Sequence, residues 1–150
     1  MNASNESGSA KPVDFKLSPQ WHFPRTLLDM PREVQEYIYG SVTHLHGGSR
    51  VFGYATEDSD FDVVVLRPEA TKHDQLPFES ELTRAPEYGG DYAQPLNFKV
   101  WSKSGQVMNV IVVNTIEAFD EWRHSYQVVM ALKRAGHKID RELSKLVHKA

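Results

Sequence analysis

Two aspartates one residue apart, Asp60 and Asp62, stand at the head of an apolar run ending at Leu66. The run reads as a buried strand. Side chains alternate across a strand, so both carboxylates are expected on one face. Two carboxylates side by side repel unless a cation lies between them. Just upstream, Gly47-Gly48-Ser49 makes a glycine-rich turn whose backbone N–H groups suit an anion. The combination points to a metal–phosphate site. The plainer alternative is a solvated strand end with a capping aspartate.

Several elements must hold these residues in place. Val34, Tyr37 and Ile38 recur at helical spacing, so a helix is expected over 31–42, with Asp29 as its N-cap and Pro31 in its first turn. A strand over 43–47 leads into the glycines. A short helical turn over 50–56 leads on to a second strand, 60–67. Residues 68–95 carry four prolines and many charges and read as a functional loop or lid, with Leu76, Phe78 and Leu82 marking a short helix inside it. Residues 96–102 alternate, with Leu96, Phe98 and Val100 on one side and Asn97, Lys99 and Trp101 on the other. Lys103-Ser104-Gly105-Gln106 supplies a hairpin turn to the next arm, 107–113. A long helix is expected over 115–135, with a stripe of Ile116, Phe119, Trp122 or Arg123, Tyr126, Val129 and Met130, ended by Gly136. Ile139, Leu143, Leu146 and Val147 suit a last short helix capped by Asp140.

That order predicts an α+β (mixed α/β) domain over 31–150, a short mixed sheet flanked by helices. Residues 1–10 have almost nothing to bury and are expected to form a disordered tail. Residues 11–30 read as an extended arm pinned by Phe15, Leu17, Trp21 and Phe23, or as a clasp on a partner subunit. A length of 150 residues suits one domain, and 40% hydrophobic with 25% charged residues is ordinary for a globular protein. The formal charge of −3 argues against broad non-specific binding of nucleic acid. With no cysteine, the chain has no disulfide, zinc thiolate or thiol nucleophile, which fits a reducing compartment. No apolar stretch reaches the roughly 18 residues of a spanning helix, and there is no apolar signal core. The expectation is a cytoplasmic protein with no membrane contact.

Gly48-Ser49-Arg50, Gly53 and Asp58-Ser59-Asp60-Phe61-Asp62, followed by an apolar strand, resemble the signature of the minimal nucleotidyltransferases of the DNA polymerase β-like superfamily. The resemblance covers residues 45–66 closely and 31–135 in outline. It implies a polymerase β-like nucleotidyltransferase core that moves a nucleoside monophosphate from a nucleoside triphosphate such as ATP to a hydroxyl. Asp60 and Asp62 would hold Mg²⁺ or Mn²⁺ as catalytic and metal-binding residues. Gly48, Ser49, Arg50 and Ser59 would bind nucleotide. The family adds a third carboxylate on a later strand; the matching strand here carries Asn109. An amide can offer a carbonyl oxygen to a metal but has no charge and cannot act as a base. Three readings follow: Asn109 serves as a weak ligand, or a carboxylate such as Asp91, Glu117 or Asp120 reaches in, or the chain is a module that binds nucleotide or a protein partner without transfer. The chain has no evident extra substrate domain, which favours a protein or RNA acceptor. The aromatic arm fits a homodimer. Paired His44 and His46, and Trp101 and Trp122, read as structural rather than as metal ligands or stacking platforms. The basic run Lys133, Arg134, His137, Lys138 and Arg141 reads as a solvated face, with an acidic partner such as tRNA as the alternative.

Overall fold

The computed structural model describes residues 26–55, 59–82 and 94–149, without the side chains of residues 50, 51, 148 and 149. The elements run in the order α1 (Arg32–Tyr39), β1 (Thr43–Gly47), α2 (Ser49–Phe52), β2 (Phe61–Leu66), β3 (Glu81–Leu82), β4 (Leu96–Trp101), β5 (Val107–Val113), α3 (Ile116–Arg134) and α4 (Arg141–Lys149). The expected disordered tail and most of the expected arm lie outside the described residues. Within 26–30, Leu27 and Met30 are buried in the core.

The fold is α+β, a five-stranded mixed sheet with helices. Its order is β1-β2-β5-β4-β3. β1 runs antiparallel to β2, β2 parallel to β5, and β5 antiparallel to β4. The two central strands are β-branched runs because both of their faces are covered. On one face Phe61, Val63, Val65, Val110 and Phe98 meet Val34 and Ile38 of α1. On the other face Val64, Leu66, Ile111 and Val113 meet Phe119 and Trp122 of α3. A third cluster joins Phe52 of α2 to Val129 of α3 and Ile139.

Several local expectations give way to competing contacts. Asp29 does not cap α1, whose N-cap is Pro31 without a side-chain bond. Its carboxylate instead accepts from the backbone N–H and the hydroxyl of Ser104, at 2.9 and 2.6 Å, which ties the β4–β5 turn to the entry of α1. Those two bonds hold the Asp29 carboxyl below its usual pKa. No helix forms over 76–82. Leu76 and Phe78 pack against the core from irregular backbone, with the Phe78 ring edge-on to Tyr37, and Leu82 lies in β3. Arg67 lies over the Tyr37 ring and donates to the Tyr37 carbonyl at 2.7 Å, closing the end of β2 onto α1. Ile116 and Leu146, placed in apolar stripes by spacing, are 64% and 65% exposed. Asp140 does cap α4, accepting from the Leu143 N–H.

Thr115 caps α3 by accepting from the Ala118 N–H. Thr115→Ala is expected to cost about 1 kcal/mol in a urea melt and to leave ligand binding unchanged, because this helix end is remote from Asp62.

Candidate functional site

Asp62 is the second residue of β2, and Asn109 is the third residue of β5. The parallel register sets Asp62 directly beside Asn109. The antiparallel register of β4 sets Lys99 opposite Asn109. Residues paired across strands share a face, so Asp62, Asn109 and Lys99 project together. They share the face that α3 covers further along through Val64 and Ile111. The site therefore lies at the end of the sheet where β2 and β5 begin. Asp60 immediately precedes β2, and its Oδ2 lies 3.6 Å from Lys99 Nζ.

The glycine turn closes the other side. Gly47 pairs with Asp62 across β1 and β2. Gly48 follows with φ 76° and ψ −169°, a conformation side chains rarely tolerate. A Cβ there would stand 2.0 Å from Oδ2 of Asp62. Only a bare α-carbon lets the turn lie against that carboxylate. Ser49 then opens α2, and Phe52, buried among Val129, Tyr126 and Ile139, anchors the turn to α3 and to the segment that leads into α4. The end of the turn meets Lys133, since a Cβ on Gly53 would lie 3.2 Å from its Nζ. Lys133, read from sequence as part of a solvated face, thus reaches the turn.

The electrostatics of Asp62 follow from this placement. Burial first, and then the neighbouring Asp60 charge, push its carboxyl up to about 7 from 3.8. A hydrogen bond from the Asn109 side chain and the charge of Lys99 pull the other way. The Asn109 amide thus donates to Asp62, while its own Oδ1 is buried with no hydrogen-bond partner. Two carboxylates and an orphaned amide oxygen suit a hard cation, which takes oxygen ligands and would relieve the repulsion. The residues present therefore fit Mg²⁺ or Mn²⁺.

Other candidates lie elsewhere. Glu117 and Asp120 sit in the first turns of α3, beyond the far end of β5, and Asp120 is taken by Arg123 at 2.8 Å. Neither joins Asp62. Asp91 lies outside the described residues, as does the side chain of Arg50. Ser59 is described and partly buried one residue before Asp60. His44 and His46 pair with Val65 and Val63 and so face the α1 side; burial holds both imidazoles below their usual pKa. Among the described residues no group of three His, Cys, Asp or Glu gathers around a common point. Trp122 packs with the sheet, and Trp101 is 40% exposed at the end of β4. Among the described residues no helix is long and apolar enough to cross a membrane. Sequence reasoning missed Lys99. The alternation of β4 placed it opposite the Leu96 side, but only the strand register brings it to Asp60. Comparison with protein-family models, with curated proteins and with solved structures finds no match, so the reading of this site rests on its own geometry.

Proposed function

We propose that the chain is a metal-dependent nucleotidyltransferase of the polymerase β-like type, moving a nucleoside monophosphate from a nucleoside triphosphate to a hydroxyl of a protein or RNA. The observation that carries this reading is the cluster at one end of the sheet. Asp62 and Asn109 stand side by side in register, Asp60 is adjacent, and the Gly48 backbone is packed onto the Asp62 carboxylate. Asp60, Asp62 and the free Asn109 Oδ1 are the residues that would hold Mg²⁺ or Mn²⁺. A bound divalent ion would neutralise charge on the phosphates and on the attacking and leaving oxygens.

The chain's own residues then divide the remaining work. The Gly48–Ser49 backbone lines the phosphates, and Ser49 can donate its hydroxyl to them. Lys133 places a positive charge at the far end of that turn. The acceptor oxygen bonds to the α-phosphorus, the α–β bridging bond breaks, and pyrophosphate leaves. The hydroxyl proton leaves to solvent; the amide of Asn109 cannot take it.

The direct test incubates the protein with labelled ATP, CTP, GTP or UTP, Mg²⁺ or Mn²⁺, and cell lysate as acceptor. Transfer of label that disappears in Asp60→Ala and Asp62→Ala is the expected result. Absence of both nucleotide binding and transfer, with Asp60→Ala silent, removes the reading.

One observation favours a second reading, a module that binds nucleotide without transferring it. The strand position beside Asp62 holds a neutral amide, and a lysine shares the site. Asn109→Asp separates the two. The added charge removes the amide donor from Asp62 and adds repulsion, so the metal-free protein should lose about 1–3 kcal/mol. It should also tighten Mn²⁺ roughly 10-fold or more. Transfer that is absent in the wild type and gained in Asn109→Asp would identify the binding module. Transfer already present in the wild type supports the enzyme.

A further inference from the structure

The charge count of this site is unusual for one that holds divalent ions. Among the described residues it comprises two carboxylates, Asp60 and Asp62, one amide, Asn109, and one ammonium, Lys99. Lys99 is not a surface lysine paired by chance. Its position on β4 is fixed opposite Asn109 by the strand register, and its alternation puts the stem on the site's face. Its Nζ lies 3.6 Å from Asp60 Oδ2, and its charge is felt by Asp62 as well. The side chain is 38% exposed, so the ammonium meets water on one side and the carboxylates on the other.

We propose that Lys99 is a built-in cation that takes the place of a second divalent ion, so that the site holds a single divalent ion together with its nucleotide. This rests on the nucleotidyltransferase reading above and specifies how that site is loaded. A pair of divalent ions brings four positive charges to a cluster, and clusters that hold such pairs balance them with several carboxylates. Here the described residues offer two, and an ammonium already neutralises part of their charge. A second divalent ion at Asp60 would have to displace Lys99 and then lie beside it, with like charges close together. The Asn109 side chain hydrogen-bonds to Asp62, and its Oδ1 is buried with no hydrogen-bond partner. That leaves Asp62, Asn109 and Asp60 Oδ1 for the one divalent ion that a nucleoside triphosphate carries in, while Asp60 Oδ2 faces Lys99. As a compact, mobile point charge, a lysine ammonium can also follow a phosphate or an attacking oxygen without a fixed coordination geometry.

The experiment counts bound Mn²⁺ by electron paramagnetic resonance on the full chain saturated with α,β-methylene-ATP, which cannot transfer its nucleotide. The wild type and Lys99→Arg are expected to hold one Mn²⁺ per nucleotide complex. Lys99→Met is expected to hold a second, and to bind Mn²⁺ without nucleotide roughly 10–100-fold more tightly. Thermal melting of each variant checks that it is folded; Lys99→Gln serves as a second neutral substitution if Lys99→Met is not. Two Mn²⁺ in the wild type overturn the proposal, as does an unchanged count and affinity in both neutral variants. If the wild type retains neither Mn²⁺ nor the α,β-methylene analogue of any of ATP, CTP, GTP and UTP, the nucleotidyltransferase reading itself fails and this proposal falls with it. That outcome is distinct from binding with the wrong count.

Discussion

Asp62→Asn is expected to abolish nucleotidyl transfer and, in the same molecule, to make the metal-free fold more stable. Under the proposed function, the loss of transfer follows from removing a charged ligand whose cation would stabilise several kcal/mol of developing charge, a fall of roughly 10³-fold or more. The gain in stability follows from burial. Asp62 carries a folded-state pKa of about 7 against 3.8, because it is desolvated and lies beside Asp60. The folded protein thus holds this proton more tightly than the unfolded chain. Stability from this group is greatest below about pH 4, where both states are protonated. It declines as pH rises towards about 7, and is flat above that. At pH 8 the whole difference amounts to about 4 kcal/mol, of which roughly 2–3 kcal/mol develops between about pH 5 and pH 8. The asparagine has nearly the same shape, keeps an oxygen for the Asn109 donor and does not ionise. Urea melts of both proteins in chelator, at the two pH values, should show the variant gaining most at the higher pH. Mn²⁺ should restore stability to the wild type at pH 8 and leave the variant unmoved. Equal pH dependence in the two proteins would show that the carboxylate carries no such cost.

This opposition between stability and function explains what could be read from the residues and what could not. The strand expected over 96–102 was legible from its apolar alternation, 107–113 from an apolar run broken by Asn109 after the Ser104-Gly105 turn, and 43–47 from the glycines that end it, all local signals. The second strand was legible because a run of valines and leucine behind two aspartates has few other uses. Asp60, however, ends just outside β2, so the two carboxylates do not share a strand face merely by alternation. Register was not legible. Nothing in the spacing of Lys99 and Asn109 says that they stand opposite each other, or that Asp62 stands beside Asn109. The misplacement of Asp29 has the same origin, since its cap competed with a partner 75 residues away. Leu76 and Phe78 satisfied their burial against Tyr37 and Phe98 without helical periodicity. Ile116 is exposed because it opens α3, before the helix meets the sheet through Phe119.

Gly48→Ala is the second large effect, and it tests whether the turn and the carboxylate act as a unit. Two penalties add at this position. The backbone at φ 76° and ψ −169° lies in a region close to glycine-only, which costs an alanine about 1–3 kcal/mol. The new methyl would also meet Asp62 at 2.0 Å from Oδ2, 2.8 Å from Cγ and 3.1 Å from Cβ. The neighbour cannot simply rotate away, because Asp62 is held by Asn109 and by its place in the sheet. Either the turn lifts off the strand or the carboxylate leaves its site. In both cases the Gly48 backbone and the Asp62 carboxylate separate, and under the proposed function a displacement of about 1 Å can cost 10²-fold in rate. Transfer should fall by roughly that factor or more, with a stability loss of about 2–4 kcal/mol. Ser49→Ala is the contrast: it removes one hydroxyl without touching the backbone, so stability should change by less than about 0.5 kcal/mol. A double-mutant cycle isolates the cause. On an Asp62→Ala background the methyl has no carboxylate to strike, so Gly48→Ala should cost only its backbone strain. Coupling of at least about 1 kcal/mol between the two positions in urea melts is the expected result. Strict additivity would mean that the glycine serves the turn alone and that its closeness to Asp62 does nothing for the site.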